Sequence, residues 1–248
     1  MGNDIAVIGF DADDTLWINE TYYLETEQEF CRLMAEYRES TEEISAELFK
    51  TETANMPLYG YGIKAFTLSL VETALRVSGN QVPQSVIKRI VDLGKKQLSK
   101  PLVLLDDVRN TLEHLNRGYR LIVVTKGDLL DQERKLQKSG LETYFHHIEI
   151  MSDKRESDYR RLLRHLDIEP AQFMMVGNSL RSDIIPVLGI GGYAVYVPFH
   201  TTWEHEHADE ESITSPKFRK IERISQVSRV VRDIERPFAE IGTASLNT

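Results

Sequence analysis

The apolar positions change rhythm along the chain. Ile5-Ala6-Val7-Ile8-Gly9-Phe10 is a near-continuous apolar run of strand length, the pattern of a strand buried on both faces. From Trp17 to about Lys100 the spacing turns helical. Phe30, Leu33, Met34 and Tyr37 mark one helix over 22–37, and further helices are predicted over 41–56, 65–77 and 83–98. Ser40 or Thr41 caps the second, with Glu42 and Glu43 in its first turn, where the helix dipole favours negative charge. Pro83 opens the fourth, and Pro57, Gly60, Gly62 and Gly79 mark the joins. After Pro101, strands and helices alternate. Helices are predicted over 107–116, 129–138, 156–166 and 180–188, and strands over 120–125, 147–151, 173–176 and 193–197. A last helix is expected within 221–234 and a loose tail over 237–248.

This order predicts an α/β fold, a Rossmann-like parallel sheet core with helices on both faces, formed by residues 1–16 and 101–248. Residues 17–100 hold four helices and no convincing strand. They are expected to form an inserted helical-bundle cap. An insertion of roughly 80 residues is better explained as a lid over a site than as cover for the sheet.

Composition narrows the class. The chain has 248 residues, 41% hydrophobic and 28% charged, which marks it as globular rather than disordered. A net charge of −9 argues against a nucleic-acid partner, whose binding rests on Lys and Arg. It leaves room for a small anionic substrate, because a metal and a few local cations reverse the field inside a pocket. Cys31 is the only cysteine, so no intrachain disulfide forms, and its helical position predicts a packing role. The chain runs straight into a strand, so no signal peptide is expected, and no apolar run approaches membrane-spanning length. A cytoplasmic protein without a membrane partner is expected, with its oligomeric state open.

The candidate chemistry lies where strands end. Asp11 and Asp13 follow the first apolar run, at the carboxyl end where open α/β sheets bind ligands. Side chains at i and i+2 of an extended segment point the same way. Two such carboxylates repel unless a cation lies between them or one takes a proton. The pair therefore reads as a divalent-metal site or as a nucleophile beside an acid/base. Thr125, followed by Lys126-Gly127, ends the second predicted strand and offers a hydroxyl and backbone N–H groups to an anionic oxygen. Lys154 follows the third, and Asn178 and Asp183 follow the fourth. His200, His205 and His207 invite a metal reading, but their polar surroundings favour a solvated loop, with a role beside the site as the lesser alternative.

Phe-Asp-Ala-Asp-Asp-Thr-Leu at 10–16 resembles the first motif, D-x-D-x-T, of the haloacid dehalogenase-like (HAD) superfamily. Thr125, Lys154 and the Asn178/Asp183 pair resemble its remaining three motifs in type, order and context, and the helical insertion matches the family's C1 cap. The resemblance implies a Mg²⁺-dependent phosphatase acting on a small phosphorylated metabolite or nucleotide monophosphate. In that reading Asp11 is the nucleophile that forms an aspartyl phosphate, and Asp13 is the general acid and then base. Thr125, Lys126 and Lys154 bind substrate, with Lys154 also compensating charge at Asp11. Asp11, Asp13, Asn178 and Asp183 hold the metal. Three positions depart from the family pattern: Asn178 stands where an Asp is usual, Arg155 replaces a common Pro, and Asp14 replaces a frequent Gly. The first removes a negative charge from the metal site and keeps open a phospholigand-binding protein without turnover. A phosphomutase also fits the motifs. A 2-haloacid dehalogenase fits poorly, because a halide leaving group has no need of Asp13.

Overall fold

The computed structural model describes residues 5–38, 40–201, 203–206 and 208–235. Its strands are β1 (Val7–Phe10), β2 (Arg120–Lys126), β3 (His147–Met151), β4 (Phe173–Gly177), β5 (Tyr193–Tyr196) and β6 (Phe218–Lys220). They form one parallel sheet in the order β3-β2-β1-β4-β5-β6. The first strand is thus interior, with the chain's later strands laid to either side of it. A crevice opens beyond the carboxyl ends at such a switch point.

Side chains alternate between two apolar clusters because successive strand residues face opposite ways. Ile8, Phe10, Leu121, Val123, Met174 and Val176 point to the face covered by α5 (Val108–Leu115), α6 (Leu129–Ser139) and α9 (Val227–Glu235). Val7, Ile122, Val124, Phe173 and Met175 point to the face covered by α7 (Glu156–Leu166) and α8 (Ile185–Gly189). Burial on both sides explains why the strands read as unbroken apolar runs. The register pairs Phe10 with both Val123 and Val176, which brings the ends of β1, β2 and β4 level.

Between β1 and α5 the chain forms α1 (Glu20–Met34), α2 (Thr41–Tyr59), α3 (Ile63–Val77) and α4 (Gln84–Leu98). These four helices bury a separate cluster that includes Phe30, Met34, Leu48, Phe66, Leu70 and Ile90. The segments entering and leaving them run side by side, with Ile18 N–H donating to the Val103 carbonyl at 3.0 Å and Leu105 N–H to that of Leu16 at 3.0 Å. Ser40 is the cap of α2, its hydroxyl accepting from Glu43 N–H at 3.2 Å.

The structure departs from the sequence pattern in three places. Pro57 does not end α2, which continues to Tyr59 and stops at Gly60 with φ of 71°. A proline near a helix end forfeits few backbone bonds. The 180–188 helix divides into a π-helical turn at Leu180–Ile184 and then α8, with Pro186 in the first turn of the new helix. The edge strand β6 is three residues long and partly exposed, too short for periodicity to reveal. The predicted tail over 237–248 lies outside the described residues. Among the described residues no helix is long and apolar enough to cross a membrane.

Candidate active site

Four strand ends supply the site. Asp11 leaves β1 with its N–H bonded to the Val176 carbonyl at 2.9 Å, which fixes it between β2 and β4. Its Oδ1 accepts from Lys154 Nζ at 2.5 Å, and the same ammonium reaches Asp183 Oδ1 at 2.6 Å. All three side chains are buried. Burial is the largest influence on Asp11 and pushes its carboxyl up, Lys154 pulls it down, and Asp183 pushes it up again, to about 7. The two carboxylates hold Lys154 protonated, well above the usual lysine range, although burial alone would lower it. One cation against two carboxylates leaves the cluster short of positive charge.

The turn after β4 is built around Asp183. Its Oδ2 accepts from Ser179 N–H at 3.0 Å. Gly177 permits that approach, since a Cβ there would lie 2.2 Å from Asp183 Oδ2. The tip of the Asn178 amide lies 3.1 Å from Thr15 Oγ1 and 3.2 Å from both Asp11 Oδ2 and the Asp13 carbonyl oxygen. With the amide nitrogen there, it donates to these oxygens. With the amide oxygen there, oxygens from Asp11, Asp13 and Asn178 converge and repel unless a cation joins them.

Asp13 reaches the cavity by its side chain. Trp17 Nε1–H donates to its carboxylate at 2.7 Å, Gln132 Nε2 at 2.9 Å and Lys135 Nζ at 3.0 Å. Asp14, next in the chain, has φ of 63°. Its carboxylate accepts from Asn19 and Glu20 N–H at 2.8 and 2.9 Å, covering donors at the start of α1. The residue that replaces the frequent glycine therefore takes the left-handed conformation and adds a helix cap. Arg155 is extended at the start of α7, its N–H donating to Asp158 at 3.1 Å.

Thr125 is buried near the end of β2, its hydroxyl accepting from Gln132 Nε2 at 3.2 Å. Lys126 Nζ donates to Ser182 Oγ at 2.8 Å and Glu206 at 2.5 Å, and lies 4.3 Å from the Tyr61 ring centroid. Asp11, Asp13, Thr125, Lys126, Lys154, Asn178 and Asp183 all line one cavity of about 180 Å³. Its far wall belongs to the helical insertion and includes Glu20, Tyr23, Glu52, Tyr61 and Phe66. Gly62 lets the insertion approach the sheet, where a Cβ would meet Asp128 N at 3.0 Å and φ is 103°. Lys64 pairs with Asp128 across the same seam at 2.9 Å.

Gln132, Lys135 and Glu206 carry no sequence signal that marks them as site residues. Gln132 and Lys135 lie one helical turn apart on α6, visible only once that helix is known to start beside Thr125. Glu206 sits in the histidine-bearing segment expected to be a solvated loop. Glu204 is exposed as expected, but Trp203 and Glu206 line the cavity and Arg181 donates to the His205 carbonyl at 2.8 Å, which puts this part of the segment beside the site, the lesser alternative. Among the described residues no group of three or more His, Cys, Asp and Glu side chains gathers as a metal-ligand set. His207 lies outside the described residues.

The family model for haloacid dehalogenase-like hydrolases matches residues 5–188. N-acylneuraminate-9-phosphatase of Mus musculus is 30% identical over 104 residues, covering 40% of this chain and 42% of that protein. Alignments with N-acylneuraminate-9-phosphatases span half or less of those proteins' length. Glyceraldehyde 3-phosphate phosphatase of Methanopyrus kandleri is 23% identical over 94% of this chain and 99% of its own. A haloacid dehalogenase-like family hydrolase from Xanthomonas campestris has a similar crystal structure, with TM-score 0.83, 35% identity, and coverage of 93% and 92% of the two chains.

Proposed function

The chain belongs to the haloacid dehalogenase-like hydrolase family, and from that premise we propose that it is a phosphatase hydrolysing a small phosphomonoester through an aspartyl phosphate on Asp11. The observation that carries the reading is the buried Asp11–Lys154–Asp183 cluster at the end of β1, open to a cavity closed by the helical insertion. The curated relatives are named as phosphatases, which supports a small phosphorylated metabolite as substrate.

Asp11 attacks phosphorus, and its anionic form needs no activating base. Lys154 offsets the charge that gathers on Asp11 and the phosphoryl oxygens. Asp13 gives a proton to the leaving oxygen, and later takes one from the water that hydrolyses the acyl phosphate. Trp17, Gln132 and Lys135 hold the Asp13 carboxyl in place for both transfers. The Thr125 hydroxyl and the backbone N–H groups after it form a cradle for phosphoryl oxygens.

The donor set fits a hard divalent cation. Asp11 Oδ2 and the Asp13 backbone oxygen each lie 3.2 Å from the tip of the Asn178 amide, and the neighbouring Asp183 adds negative charge. These residues would hold Mg²⁺, which when bound offsets carboxylate–phosphate repulsion and stabilises the transferring oxygens. A second reading, phospholigand binding without turnover, is favoured by the amide at 178, which lowers the negative charge available to a cation.

The test is phosphate release from a panel of sugar, triose and nucleotide monophosphates with Mg²⁺. Turnover by the wild type, lost on chelation, is the expected result. Phosphate-dependent thermal stabilisation with no product from any member supports the binding reading instead.

A further inference from the structure

The segment between β5 and β6 leaves the sheet and returns one carboxylate to the rim of the site. Glu206 Oε1 lies 2.5 Å from Lys126 Nζ, Ser182 Oγ donates to Oε2 at 2.5 Å, and Ser179 Oγ donates to the same oxygen. Burial alone would raise this carboxyl, but Lys126 and the two hydroxyls hold it at about 2. An ionised carboxylate with three donors is a rigid tie.

Lys126 is used up by the same arrangement. Its ammonium has three N–H groups. Glu206 and Ser182 accept two, and the face of Tyr61 covers a third direction at 4.3 Å. Tyr61 comes from the α2–α3 turn of the helical insertion, and its ring meets Trp203 edge to face at 6.3 Å. Ser179 N–H holds Asp183, and Asp183 holds Lys154 against Asp11. A short chain of contacts therefore runs from the insertion through Lys126 and Glu206 to the nucleophile.

We propose that Glu206 is a positioning residue: it ties the turn carrying Asn178 and Asp183 to the end of β2 beneath the helical insertion, and Lys126 serves that tie rather than binding phosphate. This inference rests on the phosphatase reading of the same site. The two possible roles of Lys126 give opposite signs on removing Glu206. A phosphate-binding Lys126 has Glu206 as its competitor, so Glu206→Gln frees the cation and phosphate binds more tightly. A tie loses alignment instead, and kcat falls.

The test is a double-mutant cycle of Glu206→Gln and Lys126→Met, read by kcat and KM and by calorimetric binding of inorganic phosphate with Mg²⁺. Each single variant should lower kcat by about ten- to a hundredfold, the scale of a small misplacement, with KM little changed. The double variant should be no slower than the slower single, because the two residues act as one unit. Glu206→Gln keeps the size of the side chain, and a cooperative thermal transition confirms that it folds. Tighter phosphate binding in Glu206→Gln with weaker binding in Lys126→Met overturns the proposal, as do losses in kcat that simply add. The phosphate titration needs no turnover, so it judges the tie even if no substrate in the panel is hydrolysed.

Discussion

At the floor of the cavity Asp11 and Asp183 share the Lys154 ammonium at 2.5 and 2.6 Å. In its roof, Glu20 and Glu52 meet burial and other acidic groups, Glu27 among them. Burial is the first influence in both places, and it lifts Asp11 to about 7 and Glu20 and Glu52 to about 8. What differs is the answer to it. The floor places a buried lysine between its carboxylates, which draws the Asp11 carboxyl back toward its ionised form against the pull of burial. Among the described residues the roof has no such cation, so burial and acidic neighbours push its carboxyls toward the protonated form, which donates and accepts hydrogen bonds without a full charge. On the proposed function, the floor is the end for phosphoryl chemistry and the roof the end that meets the remainder of the substrate.

The comparison breaks most severely at Lys154. Replacing it with Met leaves two buried carboxylates facing each other, and removing one partner of a buried pair costs about 3–5 kcal/mol. Lys154→Met should lower Tm strongly and reduce kcat by about a hundredfold or more. Thermal denaturation and steady-state kinetics measure both. A variant with wild-type Tm would mean that the floor is not held by this cation.

A smaller break follows from Gly177→Ala. The added Cβ would stand 2.2 Å from Asp183 Oδ2, so the 178–183 turn must shift. Overpacking of this kind costs about 1–3 kcal/mol. The expected result is a lower Tm, with kcat reduced more than KM is raised.

A third effect depends on pH. Glu52 has a folded-state pKa near 8 against an ordinary 4.5, so the folded chain keeps that proton to higher pH than the unfolded chain does. Its contribution is fully present below 4.5 and is lost as pH rises through about 8. Glu52→Gln, which cannot ionise, should flatten the decline of Tm across that window and raise Tm at its alkaline end. An unchanged slope would place the decline elsewhere.

How much of this was legible before folding depended on distance along the chain. Asp11, Thr125, Lys154 and Asn178 each sit at or just beyond an apolar run, and it was their joint order, matching the family's motifs, that made them candidates where no single strand end did. The insertion was equally plain, because helical spacing persists from α1 to α4. Gln132 and Lys135 were hidden because nothing in their own helix says that its first turns border Thr125 and Asp13. Glu206 was hidden more deeply, since its partners Lys126, Ser179 and Ser182 come from two other turns. Local pattern reports which way a side chain faces on its own element, and only the fold reports what waits there.

The most direct measurement is a chemical trap of the covalent state at Asp11. The enzyme turning over a phosphomonoester with Mg²⁺ is quenched with borohydride, which reduces an acyl phosphate to an alcohol, and the peptides are analysed by mass spectrometry. Homoserine in place of Asp11, absent without substrate and absent in Asp11→Asn, is the predicted result. Phosphate release at full rate with Asp11 unreduced, or sustained turnover by Asp11→Asn, would contradict the account.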